Sequence, residues 1–200
     1  MISLIDTCTV TYCFKGNILS NIQNSIFKHF LITFDILSEI QIRTPDALDI
    51  LNYSIVPLNK KESEITRDIV DLVINLFGKD DLTPADASLI AVACNRDIPI
   101  YPDNTGIPWF FEEFLTKDYK KEPYKSAKNK IIEKIKYTPK IYTSLEVILE
   151  IYKENPDKLS VLANFTANSD LWFKKDDLDN LGIDWTKYED LVFSIKQNPP

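Results

Sequence analysis

Only four of the 200 residues are glycine, and cysteine, with three, and histidine, with one, are rarer still. Nothing in the chain resembles the glycine-rich loop of a P-loop protein or of a dinucleotide-binding protein, so both classes are excluded. The single histidine, His29, excludes any site that needs a histidine cluster, and its apolar surroundings indicate a residue that flanks a strand or a helix end. Three cysteines without a CxxC motif indicate buried, reduced thiols and neither a disulfide framework nor a thiolate zinc site.

Long apolar runs are missing as well. No segment approaches the roughly 18 consecutive apolar residues that a membrane-spanning helix needs. The first residues show no basic segment, apolar segment and cleavage site of the kind that marks a secretory signal. We therefore expect a cytoplasmic protein without a membrane partner. With 44% hydrophobic residues, the chain is able to build a sizeable core.

Over the first half of the chain, short apolar segments alternate with segments of helical periodicity. Strands are predicted over residues 1–5, 30–34, 54–58 and 98–101. Helices are predicted between them over residues 16–28, 36–43, 45–52, 60–77 and 85–95, with Asp35 and Thr83 as N-caps of the second and the last. This order predicts an α/β fold, a three-layer sandwich with a mainly parallel central sheet.

Beyond residue 107 the pattern is helical only. Helices are predicted over residues 108–120, 123–137, 144–152, 159–165 and 178–195. The sequence therefore predicts two parts, an α/β domain over residues 1–107 and a mostly α-helical C-terminal extension over residues 108–200 that packs on it.

Four carboxylates fall near one edge of the predicted sheet. They are Asp6 at the end of the first strand, Glu39 in the helix after the second, Asp86 in the first turn of a later helix, and Asp103 after the fourth strand. Because the carboxyl ends of parallel strands meet at one edge, we expect these side chains to lie close together. Clustered carboxylates repel one another unless a cation lies between them, and oxygen-only ligands favour Mg²⁺ or Mn²⁺.

These acids also have structural interpretations. Asp6 can cap the turn after the first strand, and Asp86 stands three residues after Thr83, as in a capping box. Glu39 can pair with Arg43 one helical turn later, and the fourth acid is typical of a turn. Their shared position at the strand ends is what favours a metal site.

Four motifs, in this order, resemble those of PIN-domain nucleases: LIDTCTV, FDILSEI, LTPADASLIAVA and IPIYPDN, over about residues 1–107. In that family, acids at the matching positions build a divalent-metal site for phosphodiester hydrolysis. The resemblance implies one or two Mg²⁺ or Mn²⁺ ions as cofactor. It also implies that four residues are catalytic metal ligands: Asp6, Glu39, Asp86 and Asp103.

Residues beside two of these acids have implied supporting roles. Thr7 is expected to support Asp6 through its hydroxyl, as the matching Thr or Ser does in the family. The last motif departs from the family pattern because Tyr101 and Pro102 stand before the acid, where a Thr or Ser and a small polar residue are usual. Asn104 and Thr105, which follow that acid, are the two candidates to substitute for it through a water.

The resemblance implies a metal-dependent nuclease, with an endoribonuclease on RNA favoured over a DNA-cutting enzyme. Two other interpretations stay open. One is a catalytically inert PIN-like module that binds RNA or protein, and the other is a toxin ribonuclease of a toxin–antitoxin pair with an antitoxin-like partner. The family also suggests a homodimer.

Charge is distributed unevenly along the chain. Residues 1–107 carry 8 basic and 14 acidic side chains, a net charge of −6, whereas residues 117–140 carry 9 and 3, a net charge of +6. Lysines interleaved with tyrosines suit contacts with phosphates and stacked bases, although the stretch can also be a solvated helix face. The candidate nucleic-acid contacts are Lys117, Lys120, Lys121, Lys125, Lys128 and Lys130.

Overall fold

A computed structural model describes residues 1–78 and 82–197 of the chain. Its described residues form a four-stranded sheet, all parallel, in the order β3–β2–β1–β4. The strands are β1 (Ile2–Ile5), β2 (His29–Ile32), β3 (Tyr53–Ile55) and β4 (Ile100–Tyr101). In the register, Leu4 pairs with Leu31 on one side and Ile100 on the other. The predicted α/β class and parallel sheet are confirmed.

Helices connect and cover the strands. Before β4 they are α1 (Thr7–Lys15), α2 (Leu19–Ser25), α3 (Phe34–Arg43), a 3₁₀ helix (Pro45–Asp49), α4 (Lys60–Ile69), a π-helical segment (Val70–Ile74), α5 (Asn75–Phe77) and α6 (Pro84–Arg96). After β4 they are α7 (Gly106–Trp109), a π-helical segment (Phe110–Phe114), α8 (Tyr124–Lys134), α9 (Ser144–Tyr152), α10 (Lys158–Ser169), α11 (Lys175–Asn180) and α12 (Trp185–Gln197). Among these described helices, none combines the length and the apolar composition needed to cross a membrane.

Helix α1 is the largest difference from the sequence prediction, which assigned no element to residues 7–15. Its threonines, valine and cysteines are weak helix formers, so the local sequence does not predict a helix there. The helix begins because Asp6 caps it, with Oδ1 accepting a hydrogen bond from the N–H of Thr9 at 2.6 Å. The predicted cap of α3 was wrong as well: Thr33 caps that helix, and Asp35 lies in its first turn.

Other predicted elements differ in length or type. The segment predicted as a helix over residues 45–52 is a 3₁₀ helix, and the helix predicted over 108–120 ends at Phe114. The segment 178–195 holds parts of two helices, α11 and α12, because the chain turns between them at Gly182, whose φ is +69°. The helix predicted over 144–152 is confirmed over its full length.

Helix α6 is the most buried helix of the first half, with every residue from 85 to 94 buried. It contacts β1, β4, α3 and α4. Thr83 and Asp86 form the predicted capping box at its start, which confirms that interpretation. Glu62 of α4, fully buried, lies 2.6 Å from Nε of Arg96 at the other end of α6. Both ends of α6 are therefore fixed, and with them the position of Asp86.

The helices after residue 107 share a hydrophobic core with the α/β part. A parallel bridge extends the sheet beyond β4: the N–H of Ile100 donates to the carbonyl of Lys140, and the N–H of Tyr142 donates to the carbonyl of Ile100, both at 2.9 Å. Helix α10 packs on α1, where Phe165 approaches Gly16 so closely that an added Cβ would lie 2.5 Å from its ring. The contact requires glycine at this place.

Two of the three cysteines and the histidine occupy structural positions, whereas Cys8, contrary to the prediction, is not buried. All three thiols are free; Cys13 and Cys94 are buried, and Cys8 is half-buried. His29 begins β2, and its Nε2 lies 2.8 Å from Oγ of Ser54 on the neighbouring strand. The histidine therefore flanks a strand, as its surroundings predict.

Candidate active site

The candidate site lies at the switch point of the sheet, where the strand order changes direction. β2 pairs with one side of β1 and β4 pairs with the other, although β4 comes last in sequence. Ligands of open parallel sheets bind beyond the carboxyl ends of the strands at such a switch point. Asp6 directly follows β1, and Asn104 comes three residues after β4. Both side chains lie at this edge.

A small pocket of about 90 Å³ opens at this edge, and we call it the acidic pocket. It brings together three of the four predicted acids and two of the predicted supporting residues. The residues that line it are Asp6, Thr7, Cys8, Glu39, Arg43, Thr83, Asp86 and Asn104.

One amide connects two buried carboxylates in the acidic pocket. Nδ2 of Asn104 donates to Oδ2 of Asp6 at 3.1 Å and to Oδ1 of Asp86 at 2.8 Å. Asp6 and Asp86 are only 1% and 4% exposed. Their carboxylates therefore meet at a single neutral donor, away from bulk water.

Helix caps orient these two carboxylates. Asp6 uses Oδ1 for the cap of α1, and Asp86 uses Oδ2 to accept from the N–H of Thr83 at 2.8 Å, so in each residue the other oxygen faces Asn104. Oδ1 of Asn104 accepts from the N–H of Ile107 at 2.9 Å, which turns its nitrogen toward the acids. The structural and the functional interpretations of Asp6 and Asp86 are thus compatible, because each carboxylate has two oxygens.

Burial gives the pocket a strong preference for positive charge. Burial, together with the negative charges of Asp103 and Asp86, raises the pKa of Asp6 to about 8. Burial also raises the pKa of Asp86 to about 6, with a contribution from the charge of Glu39. Such carboxylates are stabilised either by protons or by a cation that offsets their charge.

Thr7 supports a different acid from the one expected. Its Oγ1 donates to Oε2 of Glu39 at 2.7 Å, which holds the half-buried Glu39 side chain at the pocket. The predicted contact was with Asp6. Because α1 begins at Thr7, its side chain projects toward α3.

Three residues of the acidic pocket were not predicted as site residues: Arg43, Cys8 and Thr83, the last of which was predicted only as a helix cap. Arg43 follows Glu39 by one turn of α3, and the expected pair of the two does not occur among the ion pairs of the described residues; Arg43 lines the pocket instead. Cys8 also lines it, and burial together with the charges of Asp6 and Asp86 raises the pKa of its thiol to about 12. The helical spacing from Glu39 was the only signal for Arg43.

Asp103 lies outside the acidic pocket, contrary to its predicted position. Its Oδ1 accepts from the N–H of Ser144 at 2.8 Å, and its Oδ2 accepts from the Ser144 hydroxyl. Helix α9 begins at Ser144, so the carboxylate satisfies an N–H that has no partner within the helix. The structure places Asn104, not Asp103, between Asp6 and Asp86.

Within residues 1–78 and 82–197, no three His, Cys, Asp or Glu side chains form a group that could hold a metal ion by themselves. The donors of the acidic pocket nevertheless suit Mg²⁺ or Mn²⁺, because its three acids offer carboxylate oxygens as ligands. The raised pKa values of Asp6 and Asp86 show that the ionised form of both acids is unfavourable here, a cost that a divalent ion would offset.

The six predicted nucleic-acid contacts separate into groups. Lys117, Lys120 and Lys121 line one cavity, and Lys125 is exposed on α8. The other two make contacts within the protein. Nζ of Lys128 donates to the carbonyl of Lys117 at 2.6 Å, and Nζ of Lys130 lies 3.1 Å from Oδ1 of Asp68 on α4.

Comparison with known proteins finds no significant match to this chain among family models, curated proteins or solved structures.

Proposed function

We propose that this protein is a PIN-like, divalent-metal-dependent nuclease that cuts RNA. The observation that supports the proposal is the pair of buried carboxylates, Asp6 and Asp86, that share one amide at the switch point of a parallel sheet. The two motifs that carry these acids, LIDTCTV and LTPADASLIAVA, are two of those that resemble the PIN family. Sequence and geometry thus point to the same pair of residues.

Asp6, Asp86 and Glu39 are the residues that would hold the ion. A bound Mg²⁺ or Mn²⁺ supplies Lewis-acid activation of water and offsets the charge of the phosphodiester. Asp6 and Asp86 must lose their protons to bind it, and their raised pKa values make this release part of binding. The helix caps and Asn104 hold both carboxylates in one orientation before the ion arrives.

The remaining residues of the acidic pocket have roles that follow from their chemistry. Arg43 presents a guanidinium, which can bind two oxygens of a phosphate at once. Thr7 keeps Glu39 in place. Cys8 stays protonated near neutral pH because its pKa is about 12, so we assign it no role as a nucleophile.

The test is cleavage of labelled single-stranded RNA and DNA in Mn²⁺, Mg²⁺ or EDTA. Asp6→Asn removes one negative charge and keeps the oxygen that caps α1, so we expect the variant to fold and to lose cutting. Asp35→Asn is the matched control, because it makes the same change at an exposed position in the first turn of α3. It should cut like the parent.

Two outcomes would count against the proposal. Equal cutting by the parent and Asp6→Asn would contradict the role of Asp6, and absence of metal-dependent cutting by the parent would favour a binding module. Induced expression in a host cell separates the toxin interpretation, since a toxin ribonuclease should arrest growth and Asp6→Asn should abolish the arrest.

A further inference from the structure

A second cavity, of about 470 Å³, lies where the segment between α7 and α8 meets the end of α5. We call it the tyrosine–lysine pocket. It is lined by Phe77, Lys117, Asp118, Tyr119, Lys120, Lys121 and Tyr124. A cavity of this size is typical of sites for small molecules or single nucleotides.

Three aromatic rings form one side of the pocket. The ring centroid of Phe77 lies 5.1 Å from that of Tyr119 and 4.8 Å from that of Tyr124, in edge-on contacts. The two tyrosine rings lie 6.4 Å apart at an angle of 31°. Tyr124 is 37% exposed, so part of its ring remains open to a ligand. An open aromatic ring held by its neighbours is a suitable surface for stacking a base.

Positive charge surrounds these rings. Lys117, Lys120 and Lys121 are exposed, and Asp118 is the one acid among the described lining residues. Nζ of Lys117 lies 5.7 Å from the ring centroid of Tyr119. Lys128 ties the backbone of this segment to α8 through the carbonyl of Lys117. The pocket therefore combines aromatic rings with a local excess of positive charge, the chemistry that recognises a nucleotide and its phosphates.

The tyrosine–lysine pocket is connected to the acidic pocket through α7. Oδ1 of Asn104 accepts from the N–H of Ile107 in the first turn of this helix, and Trp109, its last residue, lies 6.3 Å from Phe77 between ring centroids. Trp109 comes five positions after Asn104, so their Cα atoms are at most about 17 Å apart. The two pockets therefore lie at the two ends of one short segment of the chain.

We propose that the tyrosine–lysine pocket binds a nucleotide of single-stranded RNA, with a base against Tyr124 and phosphates on Lys120 and Lys121. The proposal rests on the proposed nuclease function, since it assigns the substrate strand of the acidic pocket. It also specifies the form of that strand, because a base must be free of its duplex partner to stack on a protein ring.

The first experiment measures binding without cleavage. The Asp6→Asn chain, in EDTA, is titrated with fluorescent single-stranded RNA of about ten nucleotides and with the same RNA annealed to its complement. We expect tighter binding of the single strand. In this background Tyr124→Leu should weaken it roughly 5- to 100-fold, as loss of one stacked base predicts, whereas Tyr124→Phe keeps the ring and should bind as before.

A second pair of variants tests the lysines and does not depend on the aromatic core. Lys120→Gln/Lys121→Gln should weaken binding and reduce the slope of log affinity against log salt by about 1.4, because each phosphate contact contributes about 0.7 for a single strand. Lys60→Gln/Lys61→Gln removes two adjacent exposed lysines at the start of α4 and should leave the slope unchanged.

The outcomes separate this proposal from the nuclease proposal. Each of three results would overturn it, even if the parent cuts RNA. They are equal affinity for the single strand and the duplex, RNA affinity unchanged in a folded Tyr124→Leu variant, and equal salt-dependence slopes in the two double-lysine variants. If the parent cuts no RNA but the expected binding differences appear, the tyrosine–lysine pocket is a binding site of a non-catalytic protein.

Discussion

Nδ2 of Asn104 lies 2.8 Å from Oδ1 of Asp86 and donates a hydrogen bond to it. The same nitrogen donates to Asp6, so a neutral amide lies between two buried carboxylates whose pKa values are both raised. A carboxylate at this position would add a fourth acid to the pocket and remove both donors. Asparagine therefore donates to both acids without adding a further negative charge to the pocket.

This relationship predicts that Asn104→Asp makes the protein more dependent on metal. In EDTA, loss of two hydrogen bonds to charged groups and the added repulsion should lower the free energy of unfolding by roughly 2–4 kcal/mol. Mn²⁺ should raise the melting temperature of the variant more than that of the parent, because a fourth acid would face the ion. Asn104→Ala is the control, since it removes the donors without adding charge. An Mn²⁺ effect no larger than in the parent would contradict the prediction.

The raised pKa values predict that stability without metal falls as pH rises. Between the ordinary value of 3.8 and the folded values of about 8 for Asp6 and about 6 for Asp86, the folded state holds protons that the unfolded chain has released. The free energy of unfolding therefore decreases with pH over this window. Asp103, raised to about 6 by burial, acts in the same direction.

Melting temperatures in EDTA, measured from about pH 5 to about pH 8, check this prediction. Asp6→Asn should flatten the decline in part, since Asp86 and Asp103 still titrate. Saturating Mn²⁺ should also flatten it, because the ion binds the deprotonated acids. A parent protein whose stability rises with pH in EDTA, or an identical slope in Asp6→Asn, would show that these acids are not buried as described.

Local signals in the sequence were sufficient to predict where Asp6 and Asp86 lie relative to the strand and helix ends. The end of an apolar strand and a Thr–Pro helix start fix both positions within a few residues of chain. Helix α1 has no such signal. It is stabilised by its cap and by packing against α3 and α10, and α10 lies about 150 residues further along the chain. The helix propensities of its own residues are weak, so they do not predict it.

The sequence did not reveal which of Asp103 and Asn104 reaches the acidic pocket. These neighbouring polar residues both follow β4, and one of them reaches the acidic pocket. Asp103 is drawn to Ser144, which begins a helix about 40 residues later. The lysines show the same limit, because Lys130 is paired with Asp68 of α4, a contact between distant segments.

Asp103 should therefore matter for stability more than for cutting. Asp103→Ala leaves the buried Ser144 N–H and hydroxyl without their acceptor, which should cost about 1–3 kcal/mol in denaturant unfolding. Ser144→Ala should share part of this cost, so the double variant should be less destabilised than the sum. The rate of RNA cutting per folded molecule should stay near that of the parent. A loss of cutting as complete as in Asp6→Asn, with stability unchanged, would place Asp103 at the metal instead.

Gly16→Ala should report whether the C-terminal helices fold as one unit with the sheet. Residue 16 has α-helical dihedral angles, φ −74° and ψ −1°, so alanine is acceptable to the backbone and by propensity alone would be neutral or slightly stabilising. Its Cβ, however, would lie 2.5 Å from the ring of Phe165, which is fully buried. We expect a loss of about 1–3 kcal/mol in one cooperative transition. In a Phe165→Leu background the same substitution should cost less; an equal cost in both backgrounds would mean that α10 does not press on α1 as described.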